Sequence, residues 1–151
     1  GSPYLHDMKG NTSGKAPSWT NFLIYWDGDT SRELLNSNYI DKYNFGRLFT
    51  AEGAVSNNGT KSTPALSADI LGDWREELIL RSEDNKELRI YSTTIPTNVR
   101  QYTLMHDPQY RLSIAWQNVG YNQPPHTSFY MGAAMEPAPK PNIVLVKIQD
   151  N

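Results

Sequence analysis

Tyr25-Trp26-Asp27-Gly28-Asp29-Thr30-Ser31-Arg32-Glu33-Leu34 and Asp69-Ile70-Leu71-Gly72-Asp73-Trp74-Arg75-Glu76-Glu77-Leu78 are two versions of one pattern. Gly28 and Gly72, Asp29 and Asp73, Glu33 and Glu77, and Leu34 and Leu78 recur at a constant offset of 44 residues. Each copy sets oxygen-bearing side chains around a glycine turn and then enters an apolar strand. A self-similar unit of about 40–50 residues holding a few strands is the period of a β-propeller. The flanking sequence agrees: Asn21 to Trp26, Leu34-Leu35, Tyr39-Ile40 and Arg47 to Thr50 read as short strands, followed by Ala65 to Ala68, Glu77 to Arg81 and Glu87 to Ser92. Tyr110 to Gln117 alternates, with Leu112, Ile114 and Trp116 on one side, and reads as another strand. Gly1 to Ser18 reads as loop, and only Ile95 to Met105 leaves room for a helical turn.

The expected architecture is therefore all-β. Residues 1–151 are expected to form part of a single propeller domain, with repeat units near 21–64 and 65–108 and a closing strand over 142–148. That makes two to three blades, whereas complete propellers have about 4–8. A partial ring leaves strand edges and blade faces open, so the chain is expected to need another polypeptide.

Composition narrows the partners. A formal charge of −2 over 151 residues gives no electrostatic footprint for nucleic acid or an anionic membrane. No apolar run approaches the roughly 20 residues of a membrane span. Cysteine is absent, which excludes disulfides and thiolate metal sites. Ten glycines, ten prolines and seventeen aromatics suit many short strands and turns.

The repeated loops suit calcium, which takes about six to eight oxygens at roughly 2.3–2.6 Å from alternating loop positions. Asp69, Asp73 and Glu77 stand at loop positions 1, 5 and 9 of the second copy; Asp27, Asp29 and Glu33 stand at 3, 5 and 9 of the first. A lone Asp-Gly marks only a hairpin turn, but the duplication includes the distant glutamate. His6, His106 and His126 are too scattered for zinc. Two further segments concentrate polar chemistry. Asn57-Asn58-Gly59-Thr60-Lys61 carries a turn signal that also reads as a hairpin tip. Trp116 to His126 holds four carboxamides, a phenol and an imidazole and includes two prolines. Amides beside aromatic rings are what a sugar cleft needs, since amides bond hydroxyls and rings stack on C–H faces.

Taken together, Asn58-Gly59-Thr60-Lys61, Ser67 to Glu77, Tyr102 to Arg111 and Ala115 to His126 resemble the C-terminal part of polysaccharide lyase family 11, the bacterial rhamnogalacturonan lyases. The resemblance runs from about Phe22 to Met131. It implies an eight-bladed propeller with bound Ca2+ and a central cleft that cleaves the rhamnose–galacturonate bond of pectin by β-elimination. Its substrate would be the rhamnogalacturonan polysaccharide, and its location secreted or periplasmic, because pectin is extracellular. By the same resemblance Asn58, Gly59, Thr60 and Tyr121 bind substrate, and Lys61 and Tyr121 are the catalytic candidates. The competing expectations are a non-catalytic, calcium-dependent carbohydrate-binding propeller segment and a calcium-dependent adhesion scaffold.

Overall fold

The computed structural model describes residues 2–119 and 122–146. The chain opens with β1 (Tyr4–His6) and β2 (Thr12–Lys15), an exposed antiparallel hairpin where the sequence reads as loop. Its turn supplies the missing signal. Asp7 Oδ1 accepts the backbone N–H groups of Lys9 (2.9 Å) and Asn11 (2.8 Å), which closes an Asx-type turn.

The first large sheet follows in simple order: β3 (Phe22–Ile24), β4 (Glu33–Asn36), β5 (Tyr39–Lys42) and β6 (Gly46–Thr50), each antiparallel to the next. The second contains β7 (Ala54–Val55), β8 (Leu66–Ala68), β9 (Glu77–Ser82) and β10 (Leu88–Tyr91). In the first, Phe22 faces Leu35, Leu23 faces Leu34 and Ile24 faces Glu33. In the second, Leu66 faces Ile79, Ser67 faces Leu78 and Ala68 faces Glu77. Each partner in the second set lies 44 residues beyond its counterpart, so the sequence repeat is also a repeat of strand register. Gly28 (φ +86°) and Gly72 (φ +79°) turn the two loops in the left-handed region that glycine enters without a Cβ penalty.

Strands β7 and β8 do not pair with each other. Both lie antiparallel along the edge of β9 away from β10, Ala54 facing Ser82 and Leu66 facing Ile79. They act as one edge strand interrupted between Val55 and Leu66, and the interruption carries Asn58 to Lys61. The expected hairpin tip is instead an excursion from a sheet edge.

The two large sheets share a core. Phe22, Ile24, Leu35 and Ile40 from the first pack with Ala54, Leu78 and Leu80 from the second, together with Trp26. Trp26, Phe49 and Tyr91 continue the contact as tilted rings with centroids 5.1 and 5.3 Å apart. Full burial of each large apolar side chain contributes about 1.5–3 kcal/mol. A second core joins Tyr25, Trp74, Leu104 and Tyr110 with Phe129 and Met131.

Tyr110 belongs to a helix, α1 (Pro108–Trp116), and not to the expected strand at Tyr110 to Gln117. The Asp107 side chain caps it by accepting from Gln109 N–H (3.2 Å), and Pro108 occupies its first turn. Tyr110, Ser113 and Gln117 form the buried stripe at helical spacing, while Leu112 and Trp116 are exposed. A 3₁₀ turn at Leu104–His106 precedes it. The expected closing strand also differs. Over the described residues 142–146 there is no strand, and Ile143 to Val146 are exposed; residues 147 and 148 lie outside the described residues. A segment apolar at every position needs cover on both faces, and no described strand pairs with it. The result is an almost all-β domain of antiparallel sheets with one short helix.

Candidate functional site

The excursion between β7 and β8 is shaped by its own side chains. Asn58 Oδ1 accepts Lys61 N–H (2.7 Å), and Asn58 Nδ2 donates to Thr63 Oγ1 (3.0 Å). Ser62 N–H returns to the Asn58 carbonyl (3.0 Å), closing the turn. The Asn58 amide thus keeps one lone pair and one N–H in reserve. A Cβ built on Gly59 meets nothing within 4 Å, so the space beside it is open. Lys61 is exposed, and its ammonium enters no ion pair among the described residues.

The segment after α1 is brought to the same place. Gln117, buried, pairs twice with the backbone of Ser67 in β8: Ser67 N–H donates to its Oε1 (2.9 Å), and its Nε2 donates to the Ser67 carbonyl (2.7 Å). Asn122 Nδ2 donates to the Pro64 carbonyl (2.9 Å). Asn57, Asn58, Thr60, Lys61 and Thr63 on one side, with Gln117, Asn118, Asn122 and Gln123 on the other, line a cavity of about 410 Å³. Its lining holds six carboxamides, two hydroxyls, one ammonium and no carboxylate. Such a wall bonds the hydroxyls of a sugar and attracts an anionic group. A larger groove of about 530 Å³ between Arg100–Tyr102 and Met135–Ala138 contains none of these residues. Tyr121 lies outside the described residues. Thr63 was not singled out from the sequence; it joins the wall only because Asn58 bonds it.

The histidines have packing roles. His106 stacks on Phe129 (6.1 Å) and meets Tyr102 edge-on (6.3 Å), and His126 packs on Trp116 (5.7 Å).

The repeated loops have conserved their backbone geometry and diverged in their chemistry. Glu33 Oε2 accepts the N–H groups of Trp26 (2.7 Å) and Asp27 (3.3 Å); Glu77 Oε2 accepts those of Ile70 and Leu71, both at 2.9 Å, again 44 residues on. Asp29 accepts Ser31 N–H (2.6 Å), as Asp73 accepts Arg75 N–H (3.1 Å). In the first loop Asp27, Asp29 and Glu33 offer oxygens within 4.8 Å of one another, the only such group of three among the described residues. Lys42 already stands there, bonded to Asp27 Oδ2 and to Asp29 Oδ2 (2.6 Å). Burial opposes the ammonium, but its bonds to Asp27 and Asp29 outweigh that and hold its pKa above the ordinary lysine value. Burial pushes the Glu33 carboxyl up to about 7, against the bonds from Trp26 and Asp27.

The structure does not gather Asp69, Asp73 and Glu77 in the same way, because position 3 of their loop is Leu71. Asp73 is ion-paired with Arg75. Asp69 is fully buried and gives its Oδ2 to Thr103 Oγ1 and Leu104 N–H, both at 2.7 Å. Its Oδ1 is buried with no hydrogen-bond partner among the described residues, and a carboxylate oxygen so placed would suit a hard cation.

The two loops also bond each other. Arg32 of the first and Glu76 of the second, 44 residues apart, form an ion pair at 3.4 Å. Glu76 is fully buried; it also accepts Tyr25 N–H (2.9 Å) and Tyr110 O–H (2.8 Å). Burial raises its carboxyl pKa, with Arg32 pulling the other way. Arg32 lies over the Tyr25 ring, 4.3 Å from its centroid, and donates to the Pro125 carbonyl, which ties this buried pair to the segment lining the cavity.

The sheet-edge excursion and the post-helical segment thus close on one amide-rich wall that carries one cation. The sequence matches the model of rhamnogalacturonan lyase family 11, C-terminal domain, over residues 2–141, and the chain belongs to that family. It is 59% identical over 145 residues to rhamnogalacturonan endolyase YesW of Bacillus subtilis (strain 168), covering 92% of this chain and 23% of that protein. It is 52% identical over 146 residues to rhamnogalacturonan exolyase YesX of the same organism, covering 88% and 24%. Among solved structures, a Bacillus licheniformis rhamnogalacturonan lyase superposes with a TM-score of 0.89 at 59% identity, over 95% of this chain and 26% of the other. The chain therefore spans about a quarter of the length of these relatives.

Proposed function

We propose that this chain is the C-terminal part of a rhamnogalacturonan lyase that cleaves the rhamnose–galacturonate bond of rhamnogalacturonan I by β-elimination. The observation that carries the reading is the meeting of Asn58, Thr60 and Lys61 with Gln117, Asn118, Asn122 and Gln123 on one amide-lined cavity. Relatives named as an endolyase and an exolyase match this segment at 59% and 52% identity. That supports assigning to it the chemistry the two modes share.

β-Elimination removes the proton on C5, next to the galacturonate carboxylate, and expels O4. Charge developing on the carboxylate must be offset, a base must reach the proton, and the departing oxygen needs a proton. Lys61 supplies the ammonium of the wall; with Tyr121, assigned by the family resemblance alone, it shares the Brønsted roles. Asn58 and Thr60 orient the sugar, and Gly59 leaves room for it. Either base needs a lowered pKa or a nearby cation to work near neutral pH.

Calcium belongs to this reading through the second repeated loop. Asp69, Asp73 and Glu77 would hold it, and a bound ion would answer the partnerless Asp69 oxygen and pin the entry to β9. The complementary N-terminal part completes the ring, with the units near 21–64 and 65–108 as neighbouring blades of an eight-bladed propeller. A pectin substrate places the protein outside the cell or in the periplasm.

The test is the absorbance of the 4,5-unsaturated product, measured on the chain together with its complementary part. Tyr121→Phe and Lys61→Met are each expected to lose activity with calcium content unchanged; full activity in both would sink the assignment. Binding of the polysaccharide without product in the parent would favour the non-catalytic alternative.

A further inference from the structure

We propose that Lys42 is the resident cation of the first repeated loop, filling the place its three carboxylates would otherwise offer to a divalent ion. The position is fixed by register. Leu34 faces Asp41 across the β4–β5 pair, so one step outward Glu33 faces Lys42. The two-residue turn Ser37-Asn38 sets that register, with Asn36 facing Tyr39. Every carboxylate of the loop is then divided in the same way. Asp27 Oδ1 accepts Asp29 N–H (3.1 Å), Asp29 Oδ1 accepts Ser31 N–H (2.6 Å), and Glu33 Oε2 accepts Trp26 and Asp27 N–H. The other oxygen of each turns to Lys42: Asp27 Oδ2 in direct contact, Asp29 Oδ2 at 2.6 Å and Glu33 Oε1 at 3.8 Å. An ammonium has three donors; the two aspartate oxygens accept from it, and the Glu33 oxygen stands at ion-pair distance. Each oxygen of the trio thus already faces a backbone N–H or the ammonium.

The second loop shows what happens without such a lysine. Leu78 faces Tyr91, so the residue facing Glu77 is Ser92, whose hydroxyl donates to Glu77 Oε1 (3.1 Å). A neutral group stands where the first loop has a cation, and in that loop a buried carboxylate oxygen, Asp69 Oδ1, has no partner. The two copies thus answer their negative charge differently: the first with one ammonium set among three carboxylates, the second with Arg75 on Asp73 and a hydroxyl on Glu77. Lys42 and a divalent ion are mutually exclusive occupants of the first loop.

The inference is tested by counting calcium bound per chain, by atomic emission after equilibration and removal of free ion, on the chain assembled with its complementary part. Asp29→Asn is expected to leave the count of the parent unchanged. Lys42→Met is expected to bind one additional ion, and Lys42→Met combined with Asp29→Asn to return to the parent count. Loss of an ion in Asp29→Asn alone would overturn the proposal, because the first loop would then hold metal despite Lys42. Absence of a gain in Lys42→Met would overturn it as well. The Asp29→Asn measurement keeps Lys42 in place and decides the question even where Lys42→Met fails to fold.

Discussion

Glu76 shows how much of this molecule is decided by single side chains. Its buried carboxylate satisfies a guanidinium, a phenol and a backbone amide at once. Removing one partner of a buried pair leaves an uncompensated charge, a loss of about 3–5 kcal/mol. Glu76→Ala is expected to lower stability by that amount, read as a fall in the urea midpoint at constant slope. A change of about 0.5 kcal/mol, as at an ordinary surface site, would mean that Arg32 is adequately solvated without it. None of this was visible in the sequence, where Glu76 is simply the residue before a repeated glutamate. Asp69, Asp73 and Glu77 were legible as a spaced set, but spacing does not name partners. Asp69 is claimed by Thr103 and Leu104, more than thirty residues downstream, and Asp73 by its neighbour Arg75. Lys42 was overlooked for a related reason: its place opposite Glu33 follows only after the β4–β5 turn is known.

At the level of elements, local signals and packing disagreed most plainly at α1, and the outcome is instructive. Leu112, Ile114 and Trp116 alternate as a strand would, yet Asp107-Pro108 is a helix start, and the buried positions are Tyr110, Ser113 and Gln117. A cap outweighs a three-residue alternation because it satisfies backbone donors that would otherwise be orphaned. Asp107 also accepts from Ser128 N–H and Oγ, so it anchors the following loop as well. Asp107→Ala is expected to cost about 2 kcal/mol, the upper end for a lost cap, with reduced helical circular dichroism. Because Gln117 at the end of α1 holds β8, the same change is expected to weaken substrate binding; unchanged helicity and binding would show that packing of Tyr110 alone sets the helix. The strands of both large sheets were legible from their apolar runs except β7 (Ala54–Val55), which is too short to show a pattern. The β1–β2 hairpin was not, since its stability rests on one aspartate and not on apolar periodicity.

For the whole molecule, the deciding fact is what stays uncovered. Leu88 and Ile90 on β10 and the run Ile143 to Val146 are all more than half exposed. Exposed apolar surface of this kind suits an interface, as the proposed propeller with its complementary part requires. The chain alone is expected to bind the dye ANS and to self-associate, and its complementary part to suppress both, measured by fluorescence and sedimentation. A dye-silent monomer would remove the physical basis for that partner. The ion pair between Arg32 and Glu76 carries a last consequence. These residues occupy the same position in the two copies of the loop, yet with opposite charge, and they meet. The copies are therefore a matched key and lock and not interchangeable bricks. A chain rebuilt from two identical first copies would set guanidinium against guanidinium, and one from two second copies carboxylate against carboxylate. Neighbouring units can tell each other apart, and the order of assembly is written into the repeat itself.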